Sequence, residues 1–256
     1  MLQRPGTGGF SDSVLPGEFA SYTFRKLLKH LLAVRSQPLD DLERVTLRLG
    51  LDVAAIERYF AVLEEIGWLN RVEDTAVFTP SINDLGHTVE WYVAHLLTQH
   101  LHWQATTNVL LEGNKDGDFD VLAVLGTEIA YVECKTSSPD QVSNNALAPF
   151  LERHYFLQPA FALLLVDTSS SIQDLTERFA RVHWKHEGHP EDTVGEAIRR
   201  IQPIDSNGCV LNSGINVYVG NASTTAANGL LTTLRLTLGD YSRHIRGKMV
   251  LGRARG

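Results

Sequence analysis

Residues 113–137, GNKDGDFDVLAVLGTEIAYVECKTS, decide how the rest of the chain is read. The apolar runs Phe119 to Leu125 and Ile129 to Cys134 flank the pair Gly126-Thr127, which predicts two short strands joined by a tight turn. Glycine in the first central position of such a turn suits a residue that needs positive φ. If Leu125 faces Glu128 across the turn, every lower pair has the same sum, so Asp120 lies across from Glu133 and Asp118 across from Lys135. Side chains alternate along a strand, so these four ionisable groups share one face. Phe119, Val121, Ala123, Ala130, Val132 and Cys134 share the other, the expected core face. Carboxylates held opposite each other repel unless a cation sits between them. A hard divalent ion with oxygen ligands, Mg²⁺ or Mn²⁺, is the expected occupant.

The order Asp120, then Glu133, any residue, Lys135 resembles the PD-(D/E)xK signature of the restriction-endonuclease-like nucleases. The local form DFDV followed by VECK is most similar to the Mrr-type and junction-resolvase branches of that superfamily. Those branches carry a glutamate on the helix before the hairpin, in a Gly, three residues, Glu pattern that Gly86 and Glu90 match. Two features depart from the pattern: Asp118 stands where many relatives have glutamate or another polar residue, and the proline is absent. The resemblance implies an α/β restriction-endonuclease-like core, a mixed central sheet flanked by helices, and a Mg²⁺-dependent endonuclease acting on nucleic acid, with DNA favoured over RNA. It implies Asp120 and Glu133 as metal ligands, with the main-chain carbonyl of Cys134 as a further one. Lys135 would orient the attacking water or neutralise charge on the phosphate, and Glu90 would place a second metal or its waters. Asp118 would support the site by tuning Lys135. Gln158, His154 and Tyr155 are candidates to approach the site, and a homodimer is an expectation because many relatives dimerise to cut both strands.

Composition sets the background. The chain has 256 residues, enough for one to two domains with a sizeable core, and 43% hydrophobic with 21% charged residues describes a globular protein. No apolar run approaches the roughly 20 residues of a membrane helix. The opening MLQRPGTGGFSDSVLPGE lacks an apolar stretch, so residues 1–20 read as a flexible tail and not as a signal peptide. Cys134 and Cys209 are too few for a disulfide framework or a cysteine zinc site, and point to a cytoplasmic setting. The net charge of −7 argues against broad nonspecific affinity for nucleic acid, while leaving room for a local basic groove.

Ahead of the hairpin, apolar residues recur at helical spacing from Tyr22 to Arg35, after Pro38 to a stop at Gly50, and from a cap at Asp52 through Val53, Ile56, Phe60, Leu63 and Ile66. Two short extended pieces, Trp68 to Val72 and Ala76 to Thr79, follow. Residues 21–82 therefore resemble a winged helix-turn-helix, which either binds DNA through its third helix or packs against a protein partner. Glu57, Arg58, Glu64 and Glu65 face outward on that helix, and acids facing phosphate are unfavourable. Basic residues lie instead at Arg25, Lys26, Lys29, Arg35, Arg44 and Arg48, where a solvated face explains them as well as phosphate contact does.

Residues 83–256 form the expected nuclease-like domain. A helix capped by Asn83 or Asp84 runs to about His100 and carries Gly86, Glu90, Val93 and Leu97 on one stripe, so Glu90 points inward. Asn108 to Glu112 is the expected first strand. After the hairpin come a helix from Pro139 and Asp140 through Tyr155, a buried strand Phe161 to Asp167 and a helix Ile172 to Val182. His183, His186 and His189 fall in an expected solvated loop without preformed metal geometry. Cys134 reads as a buried apolar side chain and not as a nucleophile. Cys209 to Val219 and Leu230 to Leu238 are expected as strands of a C-terminal β extension over about residues 205–240. In the basic tail, Arg243, Arg246 and Lys248 are candidate nucleic-acid contacts, with a solvated end as the competing reading. Two other functions fit the same features: a non-catalytic winged-helix regulator, and the effector of a defence or repair system that is inactive until a partner docks.

Overall fold

The computed structural model describes residues 15–79, 85–115, 117–205, 210–212, 216–222 and 228–253. They divide into two compact units, one ending at Thr88 and the other beginning at Val89.

The first unit runs α1 (Leu15–Phe19), α2 (Tyr22–Val34), β1 (Ser36–Pro38), α3 (Leu42–Leu49), α4 (Val53–Glu65), β2 (Leu69–Val72) and β3 (Thr75–Phe78). Ser21 caps α2 by accepting from the Phe24 amide, and Asp52 caps α4 by accepting from the Ala55 amide, each satisfying a donor the helix leaves open. Gly50 ends α3 in the left-handed conformation, φ 65°. Phe24, Leu27, Leu28 and Leu31 of α2 and Ile56, Tyr59, Phe60 and Leu63 of α4 are buried, and Phe24 meets Tyr59 edge-on at 5.1 Å between ring centroids. The strands pair antiparallel in the order β1-β3-β2. Four expectations change here. Helix α1 falls within the expected tail, and strand β1 was not foreseen. Val53 is 43% exposed, so it leaves the inner face of α4. Arg25 is buried instead of solvated, its Nη1 donating to the carbonyls of Phe19 and Ala20, because a helix end leaves carbonyls that a guanidinium can satisfy.

The second unit holds α5 (Gly86–Leu101, which begins just before it), β4 (Gln104–Val109), β5 (Phe119–Leu125), β6 (Glu128–Lys135), α6 (Asn144–Leu157), β7 (Phe161–Val166), α7 (Gln173–His186), α8 (Val194–Arg199), β8 (Gln202–Pro203), β9 (Val210–Asn212), β10 (Val217–Asn221) and α9 (Gly229–Arg253). Its seven strands form one mixed sheet in the order β4-β5-β6-β7-β10-β9-β8. The β6-β7-β10 centre is parallel and both margins are antiparallel. One face, carrying Leu122, Tyr131, Ala162, Leu164, Val166, Val217 and Val219, packs under Leu147, Phe150 and Leu151 of α6 and Leu175 and Phe179 of α7. On the other face Phe161 meets Tyr241 of α9 at 5.4 Å between ring centroids, and the Tyr218 hydroxyl donates to Asp240 of that helix. The sheet is therefore covered on both sides, as its near-continuous apolar central strands require.

Several boundaries move. The first strand is Gln104–Val109, four residues earlier than Asn108, and Asn108 itself takes φ 54°, which regular strand geometry does not accommodate. Helix α6 starts at Asn144 behind a Ser143 cap and not at Pro139. Helix α7 continues through His186, so His183 and His186 belong to a helix and not to a loop. Leu230 to Leu238 lies in α9: Leu230, Leu231, Thr233, Leu234, Thr237 and Tyr241 are buried at a helical period, which overrides the β preference of the threonines. The β extension thus ends at Asn221. The expected cap at Asn83 or Asp84, and Cys209, lie outside the described residues.

Candidate active site

The hairpin forms in the register the turn dictates. Gly126 has φ 60°, and the pairs run from Leu125 with Glu128 down to Val121 with Val132. Beyond that point the ladder opens around Asp120. Pairing with β6 stops at Val121, and on the other side β4 pairs Thr107 with Val121 and Val109 with Phe119, passing over Asn108. The Asp120 carboxylate fills the gap, its Oδ2 accepting the Cys134 amide at 2.7 Å. A side-chain oxygen thus takes an amide that the opened ladder leaves available. Phe119 departs from strict alternation, packing edge-on against Tyr131 at 5.0 Å in the cluster under α6. The expected core residues are all buried, and so are Leu122 and Tyr131, so the carboxylate-bearing face is a second core and not a purely polar surface.

Glu133 follows Val132 on the Tyr131 face and is 2% exposed. Its Oε1 accepts from Lys135 Nζ at 2.7 Å. Its Oε2 accepts from Arg153 Nη2 at 2.7 Å and from the Tyr131 hydroxyl, which in turn accepts from Arg153 Nε at 2.7 Å. A buried carboxylate needs this degree of pairing, since burial without partners costs several kcal/mol. Glu90, 7% exposed on α5, is close enough that its charge acts on Asp120. Burial, then the charges of Glu133 and Glu90, raise the Asp120 carboxyl to about 7, against the lowering effects of the Cys134 amide and Lys135. Burial pulls Lys135 down, but the charge and hydrogen bond of Glu133 and the charge of Asp120 outweigh it, so Lys135 is raised and remains an ammonium. Burial, followed by the Asp120, Glu90 and Glu133 charges, pushes the Cys134 thiol well up, which removes it as a nucleophile.

Glu133, Glu90 and Lys135 thus lie near enough to Asp120 for their charges to act on it. Asp118 precedes β5, and no hydrogen bond or ion pair joins it to Lys135, whose ammonium is on Glu133 instead. Of the helix candidates, Tyr155 bonds His183 at 2.6 Å and donates to Glu187 at 3.5 Å, and burial together with His183 lowers His154 to about 4. Gln158 closes α6 in the left-handed conformation. Arg153, their neighbour, is the residue that reaches Glu133; helical phase alone could not separate it from His154 and Tyr155. Arg243 is exposed on α9 and pairs with Asp240 at 3.3 Å. The side chains of Arg246 and Lys248 lie outside the described residues.

The donor set suits a hard divalent ion. Asp120 keeps Oδ1 free of hydrogen bonds, and Glu133 Oε1 has one displaceable donor. Mg²⁺ is commonly held by one or two carboxylates, completing its shell with water and substrate phosphate. Among the described residues no three His, Cys, Asp or Glu side chains converge as a ready cation cage, the His183, His186 and His189 region included.

No family model and no curated protein matches this sequence. The crystal structure of protein VC1899 from Vibrio cholerae is similar at a TM-score of 0.43 and 17% identity, over 73% of this chain and 54% of that one. The chain therefore spans about half the length of that protein. Among the described residues no helix is long and apolar enough to cross a membrane.

Proposed function

We propose that the protein is a divalent-metal-dependent nuclease of the PD-(D/E)xK type, hydrolysing phosphodiester bonds of nucleic acid, with DNA the favoured substrate. The observation that carries this reading is the half-buried Asp120 carboxylate at the open end of one hairpin, near enough to the buried Glu133 and Glu90 that their charges act on it, with Lys135 on Glu133. The charges of Glu133 and Glu90 raise the cost of ionising Asp120, an arrangement expected of a cation site and not of a scaffold. The mixed sheet with helices on both faces supports a restriction-endonuclease-like core.

Asp120 and Glu133 would hold Mg²⁺ or Mn²⁺, with the Cys134 carbonyl as a third protein donor. Bound there, the ion would polarise the scissile phosphate and lower the pKa of a water ligand. Lys135, kept protonated by its acidic neighbours, serves as a hydrogen-bond donor and counter-charge to the phosphate and not as a general base. Glu90 orients water on the Asp120 side. The helices and small sheet of the first unit support a winged helix-turn-helix. Its α4 acids Glu57 and Glu64 are clasped by Arg71 at 2.5 and 2.8 Å, which favours docking of a protein partner over base reading by that helix.

The test is incubation with labelled single- and double-stranded DNA and RNA in Mg²⁺, Mn²⁺ or EDTA. Cleavage is expected with either ion and lost in EDTA. Asp120→Ala and Lys135→Ala are each expected to lower it at least about a hundredfold while leaving circular dichroism unchanged. Retained cleavage in the double variant removes the assignment. Binding without cutting favours a regulator, and cutting only after a partner is added favours a docked effector.

A further inference from the structure

We propose that Arg153 is the positioning residue of this site. With the Tyr131 hydroxyl it commits Oε2 of Glu133 to the protein, so that Oε1 is the oxygen offered to a divalent ion and Lys135 is the group that yields. The inference rests on the nuclease reading above.

The two oxygens of Glu133 are held unequally. Oε2 has two donors, both from the buried side: Tyr131 is 0% exposed and Arg153 7%. A tyrosine hydroxyl has one proton, and because this one accepts from Arg153 Nε, its proton is directed at Glu133. Arg153 thus acts on Oε2 twice, directly and through Tyr131. Its planar fork is pre-organised, and its helix is anchored in the core by Leu147, Phe150 and Leu151. Oε1 has one donor, an ammonium on a flexible four-carbon stem that is 27% exposed. With Asp120, Oε1 would hold a divalent ion, and Lys135, the more weakly held donor, would then be free to meet the substrate phosphate. Without Arg153, Glu133 and Lys135 are left as a closed pair two residues apart, and the ligand oxygen is no longer aimed.

A second effect has the opposite sign. Arg153 is a cation near the ion, so a purely electrostatic role predicts tighter metal binding when it is removed. The experiment separates the two. Mn²⁺ binding to the full-length protein is measured by electron paramagnetic resonance at fixed pH for wild type, Asp120→Ala, Tyr131→Phe, Arg153→Lys and Arg153→Met, with melting in EDTA to establish that each folds. Removing an outer partner of a metal ligand typically weakens binding about 10- to 100-fold, so Arg153→Met is expected at least tenfold weaker and Arg153→Lys between it and wild type. Tyr131→Phe, which preserves the packed ring, is expected to raise the Mn²⁺ concentration for half-maximal cleavage about threefold or more, with kcat at saturating Mn²⁺ nearly unchanged. Should Arg153→Met fail to fold, Tyr131→Phe and Arg153→Lys decide. Unchanged or tighter Mn²⁺ binding in those two overturns the role of Arg153 and leaves the nuclease reading intact. Wild-type binding that Asp120→Ala does not weaken overturns the nuclease reading, and this inference with it.

Discussion

At Asp120, burial and the charges of Glu133 and Glu90 all favour the protonated carboxyl, and only the Cys134 amide and Lys135 oppose them. Its ordinary value is 3.8 and its folded value about 7, so the folded state holds a proton that the unfolded chain releases between those limits. Stability from this group is therefore present below pH 3.8 and lost as pH rises through about 7. In EDTA, Asp120→Asn is expected to raise the melting temperature at pH 8, by roughly 2–4 °C for each kcal/mol regained, and to change little at pH 4. A lower melting temperature at pH 8 contradicts the stated balance. The register from Leu125 with Glu128 to Val121 with Val132 was legible because a two-residue turn leaves one register, whereas the opening of the ladder at Asp120 was not. Arg153 was not, since which of three successive helical residues meets a sheet depends on how the helix lies across it. Nor could the sequence show that Tyr131 turns the carboxylate face into a core, because tyrosine suits both a solvated edge and a buried hydrogen bond.

The β5–β6 hairpin turns through Gly126, whose φ of 60° disfavours any residue with a Cβ although nothing lies within 4 Å of that position. Gly126→Ala is expected to lower stability by about 1–2 kcal/mol in urea unfolding, with cleavage per folded molecule unchanged. On α6, burial and then His183 hold His154 neutral, down to about 4, and its Nδ1 is buried without a hydrogen-bond partner. The folded value lies below the ordinary 6.5, so protons bind the unfolded chain first and stability falls as pH drops from 6.5 towards 4. His154→Leu is expected to flatten that fall in denaturant titrations between pH 7 and 4.5; an unchanged slope would assign the acid sensitivity elsewhere, His183 first. Most helices were readable from their apolar period and caps, as Ser21, Gly50 and Asp52 illustrate. Helix α9 is hidden in the sequence because its threonines and leucines fit a strand locally, and only the spacing of what is buried separates the two.

For the whole molecule, Glu90, Asp120, Glu133, Lys135 and Arg153 all belong to the unit beginning at Val89. A fragment of residues 80–256 is therefore expected to fold and to keep metal-dependent cleavage within about tenfold of the full chain, as groups carried by one compact unit should. Loss of cleavage in a folded fragment would place a required group in the first unit. The division at Thr88 and Val89 falls inside α5, where no change of apolar period marks it. The sheet order was not legible either, because β10 enters beside β7 from residues that follow it by some fifty positions, and no local pattern encodes such a neighbour.

That insertion has a consequence for assembly on the ribosome. Strands β4 to β7 are contiguous in the chain and hold both acids, whereas β10 must come from far downstream to cover the bare side of Phe161–Val166. A nascent chain can therefore bring the acids together while one long apolar strand still lacks its neighbour, and an unpaired strand of that kind is a template for misassociation. Translation past Asn221 is the step that closes it.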